Sequence, residues 1–442
     1  MDLSYVFPIT GYTADKKFSI YGNDFLFTFM EMEQRGFHSS KVEIDDGFIR
    51  GYTHENNQIA IAREDVFSIT GCNRLNTFCF LKSVYAPKEV IKEFDTIAFS
   101  GGVLNTLFRK HSLTIDNRQK GCDVNFHNDD VSYSFESQNE TVTITIWSKV
   151  VLSNGWDDGP QIKSTDVNLT VSFSEKKPFS YAITCYHHIC NCLRFMMNRN
   201  NVGFNSIVVR TDKNQEAPIN KTPFLVYIHE DYECTHKYGY DCLNFEDLGK
   251  SFIQLYLLFS MSTQTNKNYS FGFFPQSDHD VAKITNNTIR SICAALEFEA
   301  SNEPLVSPDN NPVLNELIQS TKIKVKEFRK IHDEINESTY SNIFSSINRW
   351  SFSARDRIQI LWDVHKEAMN ELLRNSDINQ TIDIGEFIKY RNNITHGAEI
   401  EVTDDIATIA WALRGLIYCC VLKRIGIDEK KIVELCRKRI NH

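Results

Sequence analysis

The spacing of apolar residues changes near residue 246, and this change constrains the fold more than any other feature of the chain. Before it, short segments rich in β-branched and aromatic residues alternate in part between apolar and polar positions, which is typical of strands. After it, apolar residues recur about every 3.6 positions, which is typical of amphipathic helices. A chain of 442 residues is also too long for one core. We therefore predict an α+β multidomain protein, with an antiparallel β-rich domain over residues 1–245 and an all-α helical bundle over residues 246–442.

The first domain is expected to form an antiparallel sheet, packed as a sandwich or half-barrel. Turn-forming stretches such as SNGWDDGP separate its strands. One helix is predicted within the domain, near residues 178–199. Four segments carry the strand signal: KFSIYGNDFLFTFMEM, QIAIAREDVFSIT, ETVTITIWSKVVLS and DVNLTVSFS.

The second domain is expected to hold about six helices. Thr403, followed by Asp404 and Asp405, is a typical start for the last of them, and Gly397 stands where the fifth should stop. The segments with helical periodicity are FEDLGKSFIQLYLLFSM, NNTIRSICAALEFEA, NPVLNELIQSTKIKVKEFRKIHDEI, ARDRIQILWDVHKEAMNELLR, DIGEFIKYRNNIT and TDDIATIAWALRGLIYCCVLKRIG.

Location and partners are constrained by hydropathy and charge. The most apolar stretches, SFIQLYLLFSM and GLIYCCVLKRIG, are shorter than the ~20 residues that span a bilayer, and the first residues lack the pattern of a signal peptide. We expect a cytoplasmic protein without a membrane contact. The net charge is −9 at pH 7, so any nucleic-acid site must be a local basic patch, such as one assembled between subunits.

Cysteine and histidine cluster at Cys185, His187, His188, Cys190 and Cys192. This set could ligate a metal, with Cys234 and His236 as further ligands. However, the cluster contains no CxxC pair, and its segment has helical periodicity. A core or surface helix is the favoured interpretation, and the expected cofactor and metal content is none.

The stretch EFIKYRNNITHG contains an arginine, an amide and a histidine within six residues, at Arg391, Asn392 and His396. The spacing of Arg391 and His396 alone carries no information. With 20 arginines and 13 histidines in 442 residues, about two Arg-x(4–6)-His pairs are expected by chance. The chain has two, the second being Arg437…His442. That second pair is expected to be a solvated basic tail.

What distinguishes the first pair is its place on a helix. At 100° per residue, Arg391 falls in the middle of an apolar stripe, whereas Asn392 and His396 flank that stripe together. A guanidinium in that position needs a carboxylate, a phosphate or a partner surface. A structural interpretation is equally open on these grounds: Arg391 would pair with an acid such as Glu297, and His396 would lie at the helix C-terminus.

Within an all-helical C-terminal domain, EFIKYRNNITHG resembles the HEPN superfamily, whose ribonuclease members carry Arg-x(4–6)-His. The order of a β-rich domain, a helix like SICAALEFEA and a HEPN core is similar to the ApeA family of bacterial anti-phage defence proteins. The Gly397-Ala398 that follows His396 differs from the His-x-Tyr of some toxin-type HEPN proteins. Arg391, Asn392 and His396 match the ribonuclease pattern as they stand.

The resemblance implies a metal-independent endoribonuclease that acts in abortive infection. It also implies a homodimer formed through the HEPN domain, an RNA substrate such as tRNA, and activation by a phage product. Attack by the RNA 2′-hydroxyl on the adjacent phosphate would use His396 for proton transfer, Arg391 for charge stabilisation and Asn392 for positioning.

Two other functions stay open at this point. One is a non-catalytic HEPN module that binds nucleotide or protein, coupled to a ligand-binding β-sandwich. The other is a carbohydrate- or ligand-binding β-sandwich with a helical dimerisation domain. The resemblance favours the ribonuclease over both.

Overall fold

A computed structural model provides the three-dimensional description of the chain. It describes residues 8–13, 16–22, 27–32, 44–45, 47–62, 65–69, 72–77, 79–108, 111–116, 123–128, 130–137, 140–155, 159–211, 222–228, 242–264, 272–277, 280, 283–304, 312–332, 334–348, 353–375, 378 and 381–438.

The chain divides into two compact units. The first comprises Met1–Met197, Asn201–Gly239 and Asn244–Tyr256, and the second comprises Asn198–Asn200, Tyr240–Leu243 and Leu257–His442. The N-terminal half therefore carries a large antiparallel sheet and the C-terminal region is helical, as the α+β prediction states.

The strands of the first unit are β1 (Ile9–Thr13), β2 (Lys16–Gly22), β3 (Phe27–Met32), β4 (Ile44–Asp45), β5 (Phe48–Thr53), β6 (Gln58–Ala62), β7 (Asp65–Ile69), β8 (Cys72–Thr77), β9 (Cys79–Ser83), β10 (Glu93–Ser100), β11 (His111–Asp116), β12 (Asp123–Asn128), β13 (Val131–Ser137), β14 (Glu140–Gly155), β15 (Gly159–Pro178), β16 (Ser206–Arg210) and β17 (Phe224–Ile228).

Fifteen of these strands form one sheet in the order β13-β14-β15-β10-β16-β17-β9-β6-β5-β1-β2-β3-β8-β7, with β4 beside β5, and β11 pairs separately with β12. Neighbours are antiparallel, and the longest ladder runs from Val142 opposite Phe173 to Gly155 opposite Gly159. Along β14, buried and half-buried residues alternate from Glu140 to Ser148, because successive side chains point to opposite faces. The predicted antiparallel sheet is confirmed.

The helices are α1 (Leu104–Leu107), α2 (Ser180–Met197), α3 (Phe245–Leu248), α4 (Ser251–Gln264), α5 (Asn286–Asn302), α6 (Pro312–Ile331), α7 (Glu337–Asn348), α8 (Ala354–Val364), α9 (Lys366–Asn375), α10 (Ile384–Thr395), α11 (Asp404–Arg424) and α12 (Glu429–Lys438). The helix predicted near 178–199 is α2. The division between the two units runs through α4, after Tyr256.

Helix α11 is the core of the helical unit. Thr403 caps its first turn by accepting the backbone N–H of Ile406, as predicted. The helix contacts α5, α8, α9, α10 and α12. By length and composition it is apolar enough to cross a membrane, which the dozen-residue stretch GLIYCCVLKRIG does not suggest by itself. However, 78% of its apolar window is buried, as is usual for a core helix.

Candidate functional site

Helix α10 carries all three predicted site residues, and its two ends are fixed by local sequence. Asp383 caps the start by accepting the backbone N–H of Glu386 at 3.1 Å. The helix ends at Thr395, His396 is its C-cap residue, and Gly397 follows with φ +91°. A glycine there adopts the left-handed conformation without strain, so the predicted stop at Gly397 is confirmed.

Arg391 lies at the edge of the buried face of α10, and the predicted position in the middle of an apolar stripe is wrong. The buried residues are Ile384, Phe387, Tyr390 and Ile394. Tyr390 is the residue that the sequence interpretation left out. Because its ring packs inward, the centre of the buried face rotates away from Arg391, whose side chain is 29% exposed.

The guanidinium of Arg391 has two described partners. Its Nη2 lies 3.3 Å from Oε1 of Glu297 on α5, and its Nη1 donates to Oδ1 of Asn392 at 3.2 Å. The Glu297 side chain is 43% exposed, so the ion pair faces solvent. The sequence analysis named Glu297 as a possible partner if Arg391 has a structural role, and this pairing is confirmed. Arg391 is thus held in place without being sealed from solvent.

His396 and Asn392 are both exposed at the same helix end. The backbone N–H of His396 donates to the carbonyl of Asn392 at 3.0 Å, which closes the last turn. Within the described part of the chain, the imidazole of His396 has no hydrogen-bond partner. Arg391, Asn392 and His396 are therefore together at one end of α10, and the histidine ring is free to meet a ligand.

A second cation, Arg290 on α5, belongs to this surface and is not found by the sequence interpretation. Its Nη2 donates to the carbonyl of Ile394 at 2.6 Å. The Tyr390 hydroxyl lies 2.9 Å from Oδ1 of Asn286 and 3.0 Å from the carbonyl of Ile400. These contacts join the end of α10 to α5.

A spacing signal could have revealed Arg290. Asn286, Arg290, Cys293 and Glu297 follow one another at intervals of three or four residues, so they share one face of α5. Three of them are polar or charged, and of these the sequence interpretation names only Glu297.

Cys293 lies under the site but does not supply a nucleophile. Burial raises the pKa of its thiol to about 12, although the nearby Arg391 acts in the opposite direction. The thiol is 1% exposed. Because thiolates rather than thiols attack electrophiles, Cys293 is inert at neutral pH.

The cysteine cluster of α2 is part of the core of the first unit. Cys185, Cys190 and Cys192 are fully buried. Burial raises the pKa of Cys185 to about 12, and burial first, then His187, lowers the pKa of His188 to about 4. Among the residues that the structure describes, no three His, Cys, Asp or Glu side chains are arranged to hold a metal ion. Cys234, His236 and the tail histidine His442 lie outside the described residues.

In a second group of ionisable side chains, each pair has one fully buried member. Arg424 donates to Glu299 at 2.8 Å, and Glu299 is 2% exposed at its side chain. His365 is 1% exposed, lies 3.4 Å from Glu429, and has its pKa lowered mainly by burial. These pairs connect α11 with α5, and the segment between α8 and α9 with α12.

The chain matches no model of a protein family, and no curated protein is significantly similar to it.

Proposed function

We propose that this protein is a metal-independent endoribonuclease of the HEPN type that acts in abortive anti-phage defence. The observation that carries the proposal is the exposed end of α10, where Arg391, Asn392 and His396 stand together in a helical domain that follows a β-rich one. A fixed cation, an amide and a histidine suit RNA cleavage without a metal ion, because RNA supplies its own nucleophile.

The proposed reaction assigns a role to each of these side chains. The 2′-hydroxyl attacks the adjacent phosphorus, the bond to the 5′-oxygen breaks, and the products are a 2′,3′-cyclic phosphate and a 5′-hydroxyl. His396 takes the proton from the attacking 2′-hydroxyl, and the leaving 5′-oxygen takes a proton from water or from the protonated His396 of a second copy. Arg391 stabilises the negative charge that develops on the phosphoryl oxygens, and Asn392 orients the phosphate.

Binding of RNA would require Arg391 to exchange Glu297 for a phosphate. The pair is partly exposed on both sides and 3.3 Å long, so its loss costs less than about 1 kcal/mol. A bidentate guanidinium–phosphate contact is stronger than such a surface pair. A phosphate could therefore replace Glu297 as the partner of the Arg391 guanidinium.

The remaining parts of the proposal concern partners and control. Two copies of the helical domain would bring two sets of these residues to one cleft. The β-rich domain would respond to a phage product and restrain the nuclease until then, since an unregulated cytoplasmic ribonuclease would kill its host. tRNA is the first substrate to test, because its anticodon loop is an accessible single strand.

The deciding experiment compares wild type, His396→Ala and Arg391→Ala in cells challenged with an activating phage. Both substitutions should abolish RNA cleavage and protection. The second Arg-x4-His pair supplies the matched controls Arg437→Ala and His442→Ala, which should behave as wild type. Protection by His396→Ala equal to that of wild type would refute the proposal.

A second candidate function is a non-catalytic HEPN module that binds nucleotide or protein. The Arg391–Glu297 ion pair favours it, because a structural arginine is expected to have an internal carboxylate partner. The two functions separate in a cleavage assay with purified protein and the activating phage product. Activity that EDTA abolishes would contradict the metal-free mechanism.

A further inference from the structure

A cavity lies within the helical unit, between α6 and α7, and its volume is about 310 Å³. Its walls are mainly apolar and are formed by Val325, Phe328, Ile335, Tyr340 and Ile343. Phe328 and Ile343 are 53% and 37% exposed, so the cavity is accessible from solvent. Pockets that bind small molecules have this size and this mainly apolar lining.

The wall that α6 contributes follows from the spacing of its residues. Thr321, Val325 and Phe328 succeed one another at intervals of four and three residues, so they share one face of the helix. The hydroxyl of Thr321 donates to the carbonyl of Leu317 at 2.8 Å, so its hydrogen is used within the helix. This face therefore presents mainly carbon atoms to the cavity.

Two cations also line the cavity, and the first of them, Arg329, already has partners. Its Nη1 donates to Oε1 of Glu337 at 3.4 Å, which makes an ion pair between the two helices. Its guanidinium carbon lies 4.2 Å from the centre of the Tyr340 ring, a cation–π contact. Arg329 thus ties α6 to α7 at the cavity, and its charge is neutralised there.

Lys324 is the second cation in the lining, and its side chain is exposed. Among the residues that the structure describes, it has no ionic or hydrogen-bond partner. The surrounding stretch, residues 321–330, contains five Lys or Arg and one Glu. A local excess of positive charge attracts anions, although the chain as a whole is acidic. The cavity therefore combines apolar walls with an unneutralised cation at its opening.

We propose that this cavity binds a small amphipathic anion, in which an apolar body carries one carboxylate. The body lies between α6 and α7, and the carboxylate pairs with Lys324. An apolar cavity of about 150 Å³ holds one benzene ring, so a volume of about 310 Å³ accommodates two fused rings or a chain of about ten carbons. Apolar contacts supply the affinity, and the lysine orients the ligand.

The same features disfavour other occupants. A neutral apolar molecule would make no use of Lys324. A nucleic acid would have to bring charged phosphates against apolar walls, which costs their hydration. The inference goes beyond the proposed nuclease and does not depend on it, because its tests use protein without RNA and leave α10 unchanged.

The first experiment is calorimetric titration of the full chain with hexanoate, octanoate and decanoate, and separately with 2-naphthoate. Affinity in the chain series should rise about fourfold for each added methylene and level off beyond decanoate, when the cavity is full. Octanoate should bind about threefold more tightly than octanol, which has no charge for Lys324. Binding of the chain series or of the naphthoate supports the inference and tells a chain from a ring system. Binding of neither would overturn it.

Three variants locate the site. Ile343→Glu places a carboxylate in the wall and should weaken binding about 30-fold. The matched control is Ile331→Glu, at a residue that is 78% exposed and does not line the cavity, and it should bind as wild type does. Lys324→Gln, at an exposed position that tolerates substitution, should weaken octanoate binding about threefold and leave octanol binding unchanged.

Circular dichroism checks that each variant is folded. If Ile343→Glu unfolds, the comparison of octanoate with octanol on Lys324→Gln decides the question. Equal weakening by Ile331→Glu and Ile343→Glu would overturn the inference, because the ligand would then be held by exposed apolar residues outside the cavity. Octanoate affinity that ignores Lys324→Gln would equally overturn the proposed anion.

Discussion

The guanidinium of Arg391 forms an ion pair with Glu297 in the structure. In the proposed reaction it would bind a phosphate instead. An ion pair between partly exposed groups contributes little, because water screens it and the side chains lose conformational freedom. The pair at 3.3 Å is of this kind. Its effect is to hold the guanidinium of Arg391 in place beside Asn392.

Glu297→Gln should release Arg391 for RNA while changing the free energy of unfolding by less than about 1 kcal/mol. In a His396→Ala background, which prevents cleavage, we expect the dissociation constant for single-stranded RNA to fall several-fold. Fluorescence anisotropy measures it, with the exposed Glu386→Gln on the same helix as the control. Unchanged RNA affinity together with a loss of more than 2 kcal/mol would favour the non-catalytic function.

Gly397→Ala should lower the free energy of unfolding by about 1 kcal/mol, because an L-residue in the left-handed region is strained. The cause is purely conformational, since a Cβ at Gly397 would meet nothing within 4 Å. Gly397→Asn, which tolerates this backbone conformation, should stay close to wild type. Urea unfolding gives both values. Equal losses for the two variants would show that another property of the glycine matters.

The residues of the site differ in how far the sequence predicts them. Glu297 could be named as the partner of Arg391, because a cation on a helix face requires an acid and α5 offers one at a surface position. Arg290 could not, because its role depends on the end of α10 lying against α5, and that packing involves residues more than 100 positions apart.

At the scale of elements, local signals predicted α5, α10 and α11, whose caps and periodicity agree with their burial. The continuous helix predicted from ARDRIQ to ELLR is interrupted at His365, which ends α8 and lies against Glu429. Helices α7 and α12 were not among the predicted segments. α7 has a weak apolar pattern in which Ile347 is buried, and α12 is a short, mostly charged helix.

The strands themselves could be predicted, whereas their order in the sheet could not. β10 lies between β15 and β16, and β9 lies between β6 and β17. These pairings join segments far apart in the chain, and the pattern of a single strand does not identify its neighbours. The sequence therefore predicts that a sheet forms but does not predict the order of its strands.

Acid should destabilise the first unit through His188 on α2. Burial lowers its pKa from 6.5 to about 4, so the folded unit keeps the imidazole neutral while the unfolded chain takes up a proton. Stability is therefore complete above pH 6.5 and falls as the pH drops towards 4, by up to about 3 kcal/mol. Pulse proteolysis in urea at several pH values should show a smaller acid loss for His188→Leu, and an unchanged loss for the half-exposed control His332→Leu. Identical pH profiles for wild type and His188→Leu would contradict this assignment.

The whole molecule has a net charge of −9, and its site offers only a few cations to RNA. Arg391 and Arg290 are the guanidinium groups that the structure brings to the end of α10. In the proposed function, affinity for RNA would therefore come from a few oriented contacts, with little long-range attraction by a basic surface.

RNA binding should accordingly depend weakly on salt. For single strands the slope of log K against log salt is about −0.7 for each phosphate neutralised, so two cations in each of two copies give a slope near −3. The measurement uses His396→Ala protein and an RNA of fixed length, titrated at several KCl concentrations. Arg290→Ala should reduce the slope by about 1.4, because each of two copies loses one contact. Lys326→Glu on α6 should leave it unchanged. A slope of −6 or steeper would mean that RNA is held by a basic surface other than the end of α10.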